Sequence, residues 1–126
     1  QCISIAVDVF KDKNQYFIYC SEKNKFQLSD FIQIMERCNV GELVINSVDN
    51  DGMMQGYDVE LYKKAQTLVN IPIVALGGAG KPEHFNALVK SGFNGGMAAA
   101  SIYHFTQHTP QDVKKSLFKE NISVRL

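Results

Sequence analysis

Apolar residues in this chain fall into short β-branched runs, separated by stretches in which they recur every three or four positions. The runs at 2–9, 42–48 and 71–76 read as buried strands, because they are too short and too β-branched for helices. A further extended run at 14–20 follows the polar turn Lys11-Asp12-Lys13, which predicts a hairpin or excursion at the end of the first strand. Residues 95–100 form a short strand of small residues. Phe31, Ile34, Met35 and Cys38 keep helical spacing behind Ser29 as N-cap, and Gly41 closes that region. Leu61, Ala65 and Leu68 share one face of a helix capped by Asp58 and stopped by Asn70 and Pro72. Phe85, Leu88 and Val89 mark a helix over 82–90, ended by Gly92. A single helical turn is predicted at 101–105. Thr109-Pro110-Gln111-Asp112 then opens a last helix: Thr109 is the N-cap, Pro110 sits where a missing N–H costs nothing, and Asp112 replaces the usual Glu of a capping box. Val113, Leu117 and Phe118 are its inward positions, and 122–126 is a tail.

Strands alternating with helices predict an α/β fold with a parallel sheet covered by helices. Four βα units make either a small open sheet or half of an eight-stranded barrel, and periodicity does not separate the two. A chain of 126 residues suffices for one domain, and 45% hydrophobic content supports a packed core. Thirteen basic and thirteen acidic residues cancel, without a basic run, which argues against nucleic acid. No apolar stretch is long enough to span a bilayer. Cys2, Cys20 and Cys38 are odd in number and lack CxxC spacing, so they read as packing or surface residues in a reducing cytoplasm. The chain opens with Gln1 directly ahead of a core strand, so it reads as cut from something longer.

Ligands of parallel α/β folds sit at the C-terminal ends of the strands. Asp8 closes the first run; Asn46, Asp49, Asp51 and Gly52 end or follow the second. Gly77-Gly78-Ala79-Gly80 follows the third, and Ala100-Ser101 the fourth. The glycines let backbone approach a ligand, and the N–H groups of the turn and of the helix begun at Pro82 suit a phosphate. Each feature has a plainer reading: a solvated carboxylate for Asp8, turn formation for Asp49 or Asp51, an N-cap for Ser101. Together, a glycine turn after one strand and a short helix after the next match the phosphate arrangement of the last two strands of a (β/α)8 barrel. Two carboxylates beside such a cradle make a plausible acid/base site. His84 reads as a surface or packing residue. His104 and His108 have no partner at ligand spacing, so no metal site is expected.

Ile45-Asn46-Ser47-Val48-Asp49-Asn50-Asp51-Gly52, Gly56-Tyr57-Asp58, Ala75-Leu76-Gly77-Gly78-Ala79-Gly80 with Glu83-His84-Phe85, the run 98–105 and the closing Val124-Arg125 resemble the cyclase subunit of imidazole glycerol phosphate synthase. That family is a (β/α)8 TIM barrel about twice this length, and the chain resembles its C-terminal half, strands five to eight, over 1–126. The resemblance implies a cyclase/lyase of histidine biosynthesis without a cofactor. A glutaminase partner supplies ammonia. The ammonia joins a phosphoribulosyl formimino-AICAR ribonucleotide, giving imidazole glycerol phosphate and AICAR. It implies that Asp8 is one of two general acid/base aspartates, the other lying on the absent strand one, and that Asp51 is a further acidic residue near substrate. Asn46, Gly52, Gly77, Gly78, Ala100 and Ser101 then bind substrate and its phosphate. Met53 stands where the cyclases usually carry Thr, Leu76 where they carry a small polar residue, and the segment 22–27 lacks a usual Thr-Gly pair. These departures keep open a paralogue that helps install acetamidino groups on bacterial surface sugars. A non-catalytic phosphate-binding half that pairs with a missing N-terminal half-barrel, or with itself, is the third expectation.

Overall fold

The computed structural model describes residues 2–20 and 25–125. Its elements in chain order are β1 (Ser4–Asp12), β2 (Gln15–Ile18), β3 (Phe26–Gln27), α1 (Leu28–Arg37), β4 (Glu42–Ser47), α2 (Val59–Leu68), β5 (Ile73–Leu76), α3 (Pro82–Lys90), β6 (Gly96–Met97), α4 (Ser101–Phe105) and α5 (Pro110–Lys119). One sheet holds all the strands, in the order β3-β2-β1-β4-β5-β6. β1, β4, β5 and β6 are parallel neighbours taken in sequence order.

That order separates the two architectures left open above. A doubly wound sheet reverses its strand order and carries helices on both faces. Among the four parallel strands here the order never reverses, and burial is one-sided. Val7, Val9, Leu43, Ile45, Ile73 and Ala75 are buried in the same core as Ile32, Leu61, Leu88 and Val113. The alternate positions Ser4, Ala6 and Asp8 are exposed, and Val44, Asn46, Val74 and Leu76 are only half-buried. Helices therefore cover one face alone, as in four consecutive units of a (β/α)8 barrel. The other face is the one a complete barrel encloses. Among the described residues no strand pairs with the outer edge of β6, with β1 ahead of Val9, where pairing with β2 begins, or with the outer edge of the two-residue β3.

Several boundaries differ from the sequence reading. β1 runs on to Asp12, because Lys11 and Asp12 pair with Tyr16 and Gln15, and the turn is Lys13-Asn14, both at positive φ. The hairpin forms as expected, but Asp8 lies within the strand rather than at its end. Its parallel ladder does stop close by, at Val9 opposite Ser47. The N-cap of α1 is Gln27 with no side-chain cap, and Ser29 lies inside the helix. Its C-terminus is closed by Asn39, not Gly41. Asn39 has φ +52°, its N–H donates to Glu36 O, and Val40 N–H donates to Met35 O at 3.3 Å, a Schellman pair. The buried stripe of α1 is Leu28 and Ile32, while Ile34 is 42% exposed. β6 shrinks to two residues, and Phe118 is 60% exposed rather than inward. Asp58 caps α2 by accepting from Leu61 N–H at 3.0 Å. The capping box at Thr109 and Asp112 forms in full.

Candidate functional site

The parallel register of β1 and β4 sets Asp8 directly opposite Asn46. Both side chains project from the uncovered face, and Asn46 Nδ2 donates to Asp8 Oδ1 at 2.9 Å. The carboxylate is thereby oriented while its exposed side remains open to a ligand. Asn46 Oδ1 is buried and has no hydrogen-bond partner among the described residues. Leu76 pairs in register with Asn46 and places an apolar side chain beside this polar pair.

Asp49 and Asp51 separate in role. Asp49 Oδ2 accepts from Lys11 N–H at 2.7 Å, so Asp49 anchors the β1–β2 hairpin to the β4–α2 loop. Asp51 is exposed, its N–H donates to Ser47 O, and its carboxylate has no hydrogen bond among the described residues. Gly52, next to it, is exposed with φ +74°.

The glycine turn leaves β5 immediately beside Asn46. Gly77 and Gly78 have φ +101° and +98°, a region that side chains avoid. A Cβ on Gly77 would meet Asn46 Oδ1 at 2.8 Å, and one on Gly78 would meet Gly56 O at 2.1 Å. Both glycines are therefore also demanded by packing, Gly77 against the end of β4 and Gly78 against the β4–α2 loop. Gly56 N–H donates to Gly78 O at 2.8 Å, and Asn50 Nδ2 donates to Gly56 O at 2.9 Å. The N–H groups of Gly77, Gly78 and Ala79 make no backbone hydrogen bond among the described residues. The Gly80 N–H is already taken, by His84 Nδ1 at 3.1 Å. Ala98 N–H donates to Ala75 O, which brings the segment leading to Ala100 and Ser101 alongside the turn at the same end of the sheet. There α4 begins with Ser101, and Ala100 precedes it without a side-chain cap.

Sequence reasoning passed over three supports. Tyr57 Oη donates to Ala98 O at 2.8 Å, and Tyr62 Oη donates to Leu76 O, so two buried phenols hold the ends of β5 and of the segment after β6. Burial pushes both hydroxyls well above the usual tyrosine range, which keeps them donors. Tyr16 Oη donates to the Asp58 carboxylate at 3.1 Å, tying β2 to the N-terminus of α2. The available signal was the presence of tyrosines on apolar faces, where each hydroxyl needs a partner.

These features define a class: a one-sided, singly wound βα sheet of barrel type, with the Asp8–Asn46 pair, the glycine turn and the β4–α2 loop meeting at the C-terminal end of the parallel ladder. The class agrees with comparisons of the sequence. The model of the histidine biosynthesis protein family matches residues 1–109, and the chain belongs to that family. It is 40% identical over 130 aligned residues to the imidazole glycerol phosphate synthase subunit HisF of Staphylococcus saprophyticus. It is 37% identical over 130 to the subunits of the same name from Staphylococcus aureus strains MRSA252 and JH9. Each alignment covers 99% of this chain and 52% of the relative, so the chain spans about half the length of the curated relatives it matches.

Proposed function

We propose that this chain is the C-terminal half of the barrel of an imidazole glycerol phosphate synthase cyclase/lyase. The Asp8–Asn46 pair, held in register on the uncovered face beside the glycine turn, carries the reading. Asp8 is the general acid/base of this half. Asn46 holds its carboxylate, so that a proton is exchanged at one oriented oxygen rather than at a rotating group. Asp51 stands as the second carboxylate of the rim. The turn at Gly77 and Gly78, with the backbone of Ala100 and Ser101 and with Gly52, grips one phosphate of the substrate through unpaired N–H groups. The partner aspartate and the second phosphate grip belong to the N-terminal half-barrel, which closes against the open edges of β1 and β6. Ammonia comes from a glutaminase subunit, and this half alone does not turn over.

A second reading has its own support. Leu76, lying in register with Asn46, and Met53, 57% exposed beside Gly52, put apolar groups where a nucleotide substrate is to be bound. The surface-sugar paralogue retains Asp8 and changes the substrate.

Asp8→Asn in the full-length protein tests both. Expected is a loss of rate of about 10²–10⁴-fold with phosphate affinity retained. Equal losses of rate and phosphate affinity would remove Asp8 from the acid/base role. Assaying imidazole glycerol phosphate formation separates the two substrates.

A further inference from the structure

We propose that His84 is a positioning residue for the glycine turn: its neutral imidazole accepts the Gly80 N–H at Nδ1, rests on Gly56, and locks turn and β4–α2 loop into the arrangement that presents the turn's amides. The proposal rests on the phosphate reading above.

Three observations converge on this ring. His84 occupies the first turn of α3, and its own N–H donates to Lys81 O at 3.1 Å, so its backbone position is set by the helix start. Its side chain reaches back to Gly80 N–H, which would otherwise have no acceptor among the described residues. Its Cδ2 lies 3.7 Å from where a Cβ on Gly56 would stand, so the ring caps the residue that hydrogen-bonds Gly78. Gly80 in turn packs on Met54, with no room for a side chain there. One imidazole thus touches both segments that meet at the turn.

An acceptor Nδ1 requires the proton to reside on Nε2. Burial and then Lys81 favour the neutral ring, and Glu83 opposes them. These two charges lie on or beside α3; the loop presents Gly56 to the ring and the turn presents backbone, and neither adds a charge that acts on it. A protonated His84 would set Nδ1–H against Gly80 N–H, donor to donor, and the turn would open.

The test uses the full-length protein and sulfate, whose charge does not change between pH 5 and 8. His84→Phe is expected to weaken sulfate binding about tenfold at pH 7.5, the effect of one lost hydrogen bond. His84→Asn, whose Oδ1 replaces Nδ1 as acceptor, should bind within about threefold of wild type. Wild-type affinity should fall as the pH drops below the histidine range, and that of His84→Asn should not. Nitrogen-15 spectra should show the His84 tautomer protonated at Nε2. Wild-type binding by His84→Phe, the same pH profile in wild type and His84→Asn, or a tautomer protonated at Nδ1 would each overturn the proposal. If wild type binds neither sulfate nor phosphate, the phosphate reading fails, and the tautomer alone decides whether His84 pins Gly80.

Discussion

The two faces of one sheet obey different rules. On the covered face, Val7, Val9, Leu43, Ile45, Ile73 and Ala75 make an unbroken apolar layer against the helices. On the other face the rungs alternate in kind along the strands. Ser4 Oγ donates to Glu42 Oε1 at 2.9 Å at one end, Ala6, Val44 and Val74 fill the middle, and Asp8 with Asn46 stands at the other end. The covered face is a finished core whose composition answers to burial. The uncovered face is half of a core, with polar groups at its ends that burial alone would not select. The Asp8–Asn46 end is the one where the β4–α2 loop and the glycine turn also meet.

The sharpest test of that division pairs Asp8→Asn with a change on the covered face. Asp8→Asn should carry the largest effect on rate with little effect on stability, because the side chain is exposed and Asn46 is its side-chain hydrogen-bond partner among the described residues. Ile45→Ala, one residue from Asn46 but on the other face, should do the reverse. Ile45 is fully buried, so deletion should cost about 2–5 kcal/mol in urea unfolding. Comparable losses of stability from the two changes would mean that the faces are not distinct.

Sequence reasoning was most faithful where local chemistry decides. α3 runs over Pro82–Lys90 as read, because Pro82 and Gly92 punctuate it, and the caps at Asp58 and Thr109 need only residues three positions apart. It erred where two local signals competed. Ser29 and Gly41 were plausible helix ends, but the two-residue β3 brings the chain to Gln27 extended, and Asn39 adopts the left-handed turn first. Phe118 follows the helical period, yet α5 buries only Val113 and Leu117. In the site, the placement of the glycines directly after β5 was legible from order alone, whereas Asp8, read as ending its strand, lies inside β1 beside the end of the parallel ladder. The Asp8–Asn46 bond was not, since it depends on the register of β1 against β4. The role of His84 was hidden for a similar reason: it depends on a backbone N–H four residues earlier in a turn whose shape is set by the β4–α2 loop.

The helix caps offer a smaller perturbation on the covered side. Thr109 Oγ1 accepts from Asp112 N–H, and Asp112 Oδ2 accepts from Thr109 N–H at 2.8 Å. Thr109→Ala should lower stability by about 1 kcal/mol and leave phosphate binding unchanged. The hydrogen bonds from Thr109 hold the Asp112 carboxyl below the usual carboxylate range. A lowered folded pKa gives stability that is present above the unfolded value and is lost as pH falls through the folded one. Asp112→Asn should therefore lower stability at neutral pH and flatten the acid limb of the pH–stability curve, the two curves converging at low pH.

The smallest expected effect is the most diagnostic of what covers the other face. Val44 alternates with Leu43 and Ile45 on β4 but points to the uncovered side, where it is only half-buried. In the 126-residue chain alone, Val44→Ala should cost no more than about 1 kcal/mol, since part of its area stays in water on folding. In the full-length protein, a closed barrel would pack other side chains over the same position, and the cost should rise into the range of about 1–3 kcal/mol for a buried side chain. The difference between the two measurements reads the burial of this face directly. An equal, small cost in both would show that the remaining sequence does not close over the sheet, and the barrel assignment of the longer protein would fall with it.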